Sequence, residues 1–287
     1  MTEAQRVQPQ GGTAGPSPSP KFRNILCAVD GEPGGFVAVE QAAALAGPGG
    51  HLTLLLVTSF ESGGQQRSPA IGASQAKGAL DRAKEIAEKA GVASTAEVDP
   101  AAPPSRIILE WSSQRDLLAL GAPTTPRLRA MFIAGVADTA LGSFTIPLLA
   151  ARSTARDHEF GHHIVVASDG RDGSDQLVEL ARRLAQARGA EMMLVHAAGH
   201  ESRARLERVE EQGRRLALTA AGTIEVRVER GHAHEVIVGA ADSLGASMLV
   251  MGSRRLDGLR SLGSVSRRVV HEAPCSVLLV PPEHLQA

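Results

Sequence analysis

Short apolar runs alternate with stretches of helical periodicity along most of the chain. In the second half, residues 164–168 form a continuous β-prone run, and apolar residues then recur at helical spacing across 177–185. The alternation continues with strands predicted at 192–195, 224–228, 248–251 and 277–280, and helices at 206–216, 236–244 and 264–271. Strands that alternate with helices pair in parallel through right-handed crossovers. The pattern therefore predicts an α/β fold, a doubly wound five-stranded parallel sheet with helices on both faces.

A repeat the size of a domain is visible in the chain. Residues 25–57 align without a gap with residues 164–196, a shift of 139 that places Asp30-Gly31 on Asp169-Gly170. The first half repeats the order of elements, with strands predicted at 25–29, 52–57, 95–98, 116–120 and 147–150, and helices centred near Ala42, Ala83, Ile108 and Asp138. A repeat of this length indicates that a whole domain was duplicated. The expected boundaries are domain 1 at 21–151, an exposed polar linker at 152–161, domain 2 at 162–282 and a tail at 283–287.

Composition narrows the class of protein. Residues 1–20 are rich in Gly, Pro, Ser and Gln, which predicts a disordered tail. Lys plus Arg number 30 and Asp plus Glu number 31, so no overall positive field favours nucleic acid or an anionic membrane. The chain contains no signal-like or membrane-spanning apolar run, and Cys27 and Cys275 lie in apolar stretches typical of buried thiols. We therefore expect a cytoplasmic protein.

Several motifs near the C-terminus form a recognisable pattern. A predicted strand is followed by Gly252-Ser253-Arg254, then by Gly263-Ser264-Val265-Ser266, and residues 271–280 read HEAPCSVLLV. With an early strand that ends in Asp-Gly, these motifs resemble those of the universal stress protein family, and the chain is similar to its tandem members. The resemblance implies Rossmann-like domains of the adenine nucleotide alpha-hydrolase type. It also implies that ATP or a related adenine nucleotide binds at the carboxyl ends of the strands, with Mg²⁺ entering only through the nucleotide.

The resemblance also implies where a nucleotide would be held. Nucleotide-binding members have an Asp after the first strand, a glycine after the fourth, a second glycine three residues on, and a Gly-Ser or Gly-Thr pair after nine more. Domain 2 matches at Asp169, Gly252, Gly263 and Ser264. Arg255 replaces the second glycine, and only seven residues, 256–262, precede Gly263. Arg254 and Arg255 are the candidates to supply charge to phosphates that glycine amides no longer cradle.

Domain 1 departs from the motif in a different way. Gly121 is kept, but Thr124 replaces the second glycine and Ala134-Gly135 replaces the Gly-Ser pair. The sequence therefore predicts a degenerate site in domain 1, where Asp30 serves the turn, and a ligand-binding role for Asp169 in domain 2. Ser264 is a phosphate donor, the N-cap of the last helix, or both, because the geometry of the two roles overlaps.

Other chemistry receives little support from the sequence. The pairs His162-His163 and His232/His234 lack cysteines or carboxylates at a metal-ligand spacing, so no metal site is predicted. The chain has no nucleophile elbow, Walker loop or paired carboxylates, which predicts no dedicated catalysis and leaves slow incidental nucleotide hydrolysis open.

Two functions remain at this stage. One is a stress-response regulator that responds to a nucleotide bound in domain 2 and acts on a protein partner of unknown identity. The other is a ligand-free scaffold with both sites degenerate. Because family members commonly dimerise, the two copies are expected to form an internal pseudo-dimer through 277–280 and 147–150, with a further homodimer left open.

Overall fold

Five parallel strands in each half of the chain organise the fold in the computed structural model. The structure describes residues 3–7, 22–58, 73–100, 104–122, 144–153, 159–199, 202–219, 224–253, 255–256 and 259–284. Residues 21–153, which form domain 1, cluster with residues 255–261 in one compact unit. Residues 154–254 and 262–287 form the second, domain 2, together with an N-terminal strand, β1 (Glu3–Val7).

Domain 1 has the predicted alternation of strands and helices. Its elements are β2 (Asn24–Ala28), α1 (Pro33–Ala46), β3 (His51–Val57), α2 (Ala73–Lys89), β4 (Ala93–Asp99), α3 (Pro104–Ser112), β5 (Leu117–Gly121) and β6 (Leu148–Ala151). The strands pair in parallel in the order β6-β5-β2-β3-β4. The chain reverses direction across the sheet between β2 and β5, the first and fourth strands of the domain. The helix predicted near Asp138 lies outside the described residues.

Domain 2 repeats this topology. Its elements are β7 (His163–Ala167), α4 (Ser174–Gln186), β8 (Glu191–Ala198), α5 (Arg203–Thr219), β9 (Ile224–Arg230), α6 (Ala233–Leu244), β10 (Met248–Gly252), α7 (Ser264–Glu272) and β13 (Ser276–Val280). Two short strands, β11 (Arg255–Leu256) and β12 (Leu259–Leu262), pair with each other between β10 and α7. The main strands pair in parallel in the order β13-β10-β7-β8-β9, which confirms the predicted five-stranded parallel sheet.

The N-terminal strand β1 departs from the sequence prediction. Residues 1–20 are predicted to be disordered, yet Glu3–Val7 pair antiparallel with β9 over five residue pairs, from Glu3 opposite Val228 to Val7 opposite Ile224. The rest of the predicted tail lies outside the described residues. An edge strand offers unpaired backbone N–H and C=O groups, and these bind another strand largely independently of its side chains. The side-chain composition of residues 1–20 therefore does not predict this backbone pairing.

The inner strands of each domain are buried on both faces, whereas β4 and β9 are partly exposed. In β3, the successive residues Leu54, Leu55 and Leu56 are each at most 1% exposed. Because successive side chains of a strand point to opposite faces, both faces of the sheet must be covered. Cys27 and Cys275 are fully buried within this packing, which confirms the prediction for the two thiols.

The segment predicted as an exposed linker, 152–161, is buried at both ends. Arg152 is 5% exposed, and its carbonyl oxygen accepts a hydrogen bond of 2.8 Å from the Gln41 side-chain amide. Gly161 is also buried, and its N–H donates to the Ser247 hydroxyl at 2.9 Å. The polar composition predicts exposure wrongly at these two positions because backbone groups, rather than side chains, anchor the segment.

The described helices include none that combines the length and the apolar character needed to cross a lipid bilayer.

Candidate functional site

The carboxyl ends of the first and fourth strands of each domain form a crevice. In domain 2, β7 and β10 are adjacent, with Ala167 opposite Met251, so Asp169 and Gly252 lie at the same end of the sheet. In domain 1, β2 and β5 place Asp30 and Gly121 in the equivalent positions. Open α/β sheets bind ligands at such a reversal point. Each domain therefore has one crevice to compare with the other.

The two aspartates perform the same local turn chemistry. An Asp169 carboxylate oxygen accepts the Arg171 N–H at 2.9 Å, and an Asp30 carboxylate oxygen accepts the Glu32 N–H at 3.0 Å. Removal of surrounding water raises the pKa of Asp30, although the residue as a whole is exposed, and the backbone N–H groups that it accepts oppose this change. The turn hydrogen bond thus does not distinguish the domain with the predicted ligand site from the domain without it.

The space beside the motif glycine after the fourth strand differs between the two domains. A Cβ atom added to Gly121 would overlap the carbonyl group of Gly34 and lie 2.5 Å from the backbone nitrogen of Gly35. A Cβ added to Gly252 would have no heavy atom of the described structure within 4 Å. Backbone therefore fills the crevice in domain 1, whereas no described residue fills the equivalent point of the crevice in domain 2.

The closure in domain 1 has a local cause in the sequence. Helix α1 begins at Pro33, where the ring fixes a helical φ angle, whereas α4 begins at Ser174, two positions later in the repeat alignment. Gly34 and Gly35 follow Pro33 without side chains, so the first turn of α1 can contact the end of β5 directly. This closure supports the prediction of a degenerate site in domain 1 through a feature that the sequence reasoning did not use.

A buried polar network lies beneath the loop between β7 and α4 in domain 2. The Ser168 hydroxyl donates to the Gln212 side-chain oxygen at 2.7 Å, and the Gln212 amide donates to the Ser174 hydroxyl at 2.8 Å and to Asp175 at 2.7 Å. His196 Nδ1 lies 2.8 Å from the Ser168 carbonyl oxygen, so this nitrogen carries a proton. Through these bonds, α5 and β8 hold the loop that carries the Asp-Gly pair.

Domain 1 supports the equivalent loop with different contacts. In the repeat alignment, Val29 is equivalent to Ser168, and Phe36 is equivalent to Asp175. The Arg82 guanidinium lies 4.4 Å from the centre of the Phe36 ring, a cation–π contact. Arg82 is the tenth residue of α2, and Gln212 is the tenth residue of α5, a helix of equal length. The side chains that contact the loop in the two domains therefore come from equivalent helix positions. Ser168 and Ser174, on either side of Asp169-Gly170, indicate this difference in the sequence. The motif comparison does not include these two serines.

The predicted phosphate-binding residues of domain 2 are only partly brought together. The Ser266 hydroxyl donates to the Gly252 carbonyl oxygen at 3.3 Å, which ties the first turn of α7 to the end of β10. Gly263 is the N-cap of α7, without a side-chain capping bond, and Ser264 is the exposed first residue of the helix. The alternative in which Ser264 is the N-cap is therefore wrong, because the helix begins at Ser264 itself.

The segment predicted as a phosphate loop contains paired strands. Arg255 is the first residue of β11, which pairs with β12, and Arg254 lies outside the described residues. Seven residues between Arg255 and Gly263 are enough for this short pairing. Whether either arginine reaches a phosphate stays a prediction.

The histidine pairs form no metal site in the described part of the chain, where no three His, Cys, Asp or Glu side chains cluster closely enough to hold an ion. The ring centres of His232 and His234 are 6.3 Å apart, and His162 Nε2 lies 3.3 Å from Glu159 Oε2.

Comparison with known proteins matches both halves of the chain to one family. The model of the universal stress protein family matches residues 21–152 and again residues 161–281. A curated protein of Thermus aquaticus, described as the universal stress protein in the QAH/OAS sulfhydrylase 3' region, is 36% identical over 132 residues. That alignment covers 41% of this chain and 96% of the Thermus protein.

Solved structures show the same fold over nearly the whole chain. The crystal structure of a universal stress protein from Archaeoglobus fulgidus DSM 4304 is 19% identical, with a TM-score of 0.73, and covers 90% of this chain and 96% of that chain. The cytoplasmic domain of a prokaryotic cation chloride cotransporter is 12% identical, with a TM-score of 0.58, and covers 92% of this chain and 99% of that chain. At these identities the likeness concerns the fold alone.

Proposed function

Because the chain belongs to the universal stress protein family, with one copy of the family's domain in each half, we propose that domain 2 binds ATP or a related adenine nucleotide and that domain 1 does not. The observation that carries the proposal is the difference between the two crevices. No described residue occupies the space beside Gly252, whereas backbone of Gly34 and Gly35 fills the space beside Gly121. A ligand whose phosphates approach this glycine closely needs that space.

Each candidate residue has a physical role in this proposal. Asp169 offers carboxylate oxygens to the hydroxyls of a ribose at the end of β7. Gly252 lets the ligand approach the backbone of β10 without meeting a side chain. Gly263 and Ser264 lie at the start of α7, where unpaired amide groups and the helix dipole favour phosphate. Arg254 and Arg255 are proposed to add positive charge in place of the missing second glycine.

The proposed role is binding rather than catalysis. A bound nucleotide changes the protein only as far as its affinity differs between two conformations. The conformation of domain 2 would then depend on the nucleotide concentration, and a protein partner would recognise that conformation. Mg²⁺ would bind together with the nucleotide. The competing function, a ligand-free scaffold, is favoured by the shortened segment that forms β11 and β12 instead of a glycine-rich loop.

Isothermal titration of the purified chain with ATP, ADP, AMP and cyclic AMP, each with and without Mg²⁺, tests the proposal. The informative variant is Gly252→Val, because valine suits a strand and its side chain would occupy the open space. The matched control is Gly239→Ala on α6, where an added Cβ also meets nothing within 4 Å. We expect saturable binding by the native protein and by the control, and none by Gly252→Val at an unchanged melting temperature.

A second pair of variants tests the assignment to domain 2. Asp169→Ala and Asp30→Ala remove the same turn hydrogen bond from the two domains. Only Asp169→Ala is expected to weaken nucleotide binding. Absence of saturable binding at millimolar nucleotide, or binding that Gly252→Val leaves intact, would overturn the proposal and leave the scaffold function.

A further inference from the structure

Domain 2 has a second concave feature, on the α5 side of the loop between β7 and α4. It is a cavity of about 470 Å³ between this loop and the first two turns of α5. We call it the arginine pocket, and its lining residues are Gly170, Arg171, Asp172, Ala204, Arg205 and Arg208. The described nucleotide-binding candidates Asp169, Gly252, Gly263 and Ser264 do not line it. Three of its six lining residues carry a guanidinium group.

Two of these guanidinium groups are uncommitted within the described structure. The side chains of Arg171 and Arg205 make no hydrogen bond or ion pair with any described residue, and only their backbone groups are bonded. Arg208 donates to Asp172 at 2.7 Å, but the Asp172 side chain is 99% exposed, so this ion pair is weak and easily exchanged. The pocket can therefore offer three cationic groups to a ligand.

Acidic side chains also lie near the pocket. Asp172 is the only carboxylate among its described lining residues. Asp169 and Asp175, together with Asp172, attract the Arg208 guanidinium and help to raise its pKa. Among the described lining residues, three carry a positive charge and one carries a negative charge.

The duplicated domain indicates that the fold does not require these arginines. In domain 1, the positions equivalent to Arg171, Arg205 and Arg208 hold Glu32, Gln75 and Gly78, by the repeat alignment of the loop and of the equally long helices α2 and α5. A loop and a helix form at the equivalent places there without a basic residue at any of the three positions, although the helix after the loop begins two positions earlier. The concentration of arginine in domain 2 thus calls for an explanation other than packing.

The chemistry of the lining selects a phosphate-rich ligand. A planar guanidinium donates two parallel hydrogen bonds to phosphate oxygens, and the amides at the start of α5 favour anions as well. Only Gly170 and Ala204 are apolar among the described lining residues, so the lining favours a charged ligand over an apolar one. Its volume exceeds that of a single phosphate. We propose that the arginine pocket binds a compact polyphosphate, either a free one or the phosphate chain of a nucleotide, at a site separate from the Gly252 crevice.

Titration of the full chain with pyrophosphate and with tripolyphosphate, at constant ionic strength, tests this proposal. The informative variant is Arg171→Glu with Arg205→Gln, which installs the residues of domain 1. The matched control is Arg203→Gln on the same helix, because Arg203 pairs with the exposed Glu207 and does not line the pocket. Loss of two charge-assisted contacts is expected to weaken pyrophosphate binding by about ten-fold or more, whereas the control should bind as the native chain does.

Gly252→Val separates this site from the proposed nucleotide site. Pyrophosphate binding should survive in that variant even where ATP binding to the crevice is lost. Competition by ATP for pyrophosphate in Gly252→Val would identify a nucleotide phosphate chain as the ligand, and failure to compete would identify a free polyphosphate. The proposal is overturned if pyrophosphate does not saturate, if Arg203→Gln weakens binding equally, or if Gly252→Val alone abolishes it.

Discussion

At the scale of single residues, Gln212 makes the most demanding set of contacts around the crevice. It is 3% exposed and bonds with Ser168, Ser174 and Asp175, two of which are themselves buried. Gln212→Ala would leave these groups without a partner in a poorly solvated place. We expect a loss of about 1–3 kcal/mol in the free energy of unfolding, measured by urea denaturation.

The equivalent position in domain 1 provides the control for this prediction. Arg82 is exposed and its guanidinium lies over the face of Phe36, so Arg82→Ala should cost about 0.5–1 kcal/mol. Equal losses from the two variants would show that the buried network of domain 2 adds no special stability.

Glu179 gives a prediction for pH dependence. Arg182 donates two hydrogen bonds to its carboxylate and Arg183 donates a third, and these contacts lower the pKa of Glu179 to about 2. A lowered pKa stabilises the fold above the unfolded-state pKa of about 4.5, and this contribution is lost as the pH falls toward 2. Because Glu179 is partly exposed, Glu179→Gln should cost only about 1 kcal/mol at pH 7.

Denaturation of the native chain and of Glu179→Gln at pH 7 and at pH 3 measures this effect. The difference in unfolding free energy should shrink at the lower pH. A difference that stays constant between the two pH values would mean that the carboxylate charge contributes nothing to stability.

At the scale of elements, the sequence predicts most strands and helices to within a few residues. The strands are readable because a parallel sheet covered on both faces demands continuous apolar runs, as in β3 and β10. Helix α5 is readable from the periodic Leu206, Val209 and Leu216. Features that depend on backbone groups are not readable in this way, and these include β1, the buried ends of the linker, and the N-cap position of α7.

The pairing of β1 with β9 leads to a prediction at this scale. Deletion of residues 1–7 would expose backbone groups along the edge of the domain 2 sheet. Hydrogen exchange followed by mass spectrometry should then show faster exchange in β9 and unchanged exchange in β7, which lies in the interior of the sheet. Unchanged exchange in β9 would mean that β1 does not protect this edge in solution.

At the scale of the whole molecule, the duplication separates what the fold requires from what a site requires. The sequence alone identifies Asp169 from the Asp-Gly pair after a predicted strand, and Gly252 from the short motif that it forms with Gly263-Ser264. It cannot show that the crevice of domain 1 is filled, because the filling depends on the residue at which α1 begins and on its distance from β5. The expected pairing of the two domains through their last strands stays a prediction.

The two crevices together predict that a nucleotide protects one domain selectively. A ligand at 100 times its Kd stabilises the state that binds it by about 2.7 kcal/mol, and this stabilisation falls on the segments that must open to release the ligand. With saturating ATP, hydrogen exchange should slow in β7, β10 and the first turn of α7, whereas β2 and β5 should exchange as in the free protein. The same experiment on Gly252→Val should show no protection in either domain. Equal protection of both domains would contradict the closure of the domain 1 crevice by Gly34 and Gly35, because a filled crevice has no room for a second nucleotide.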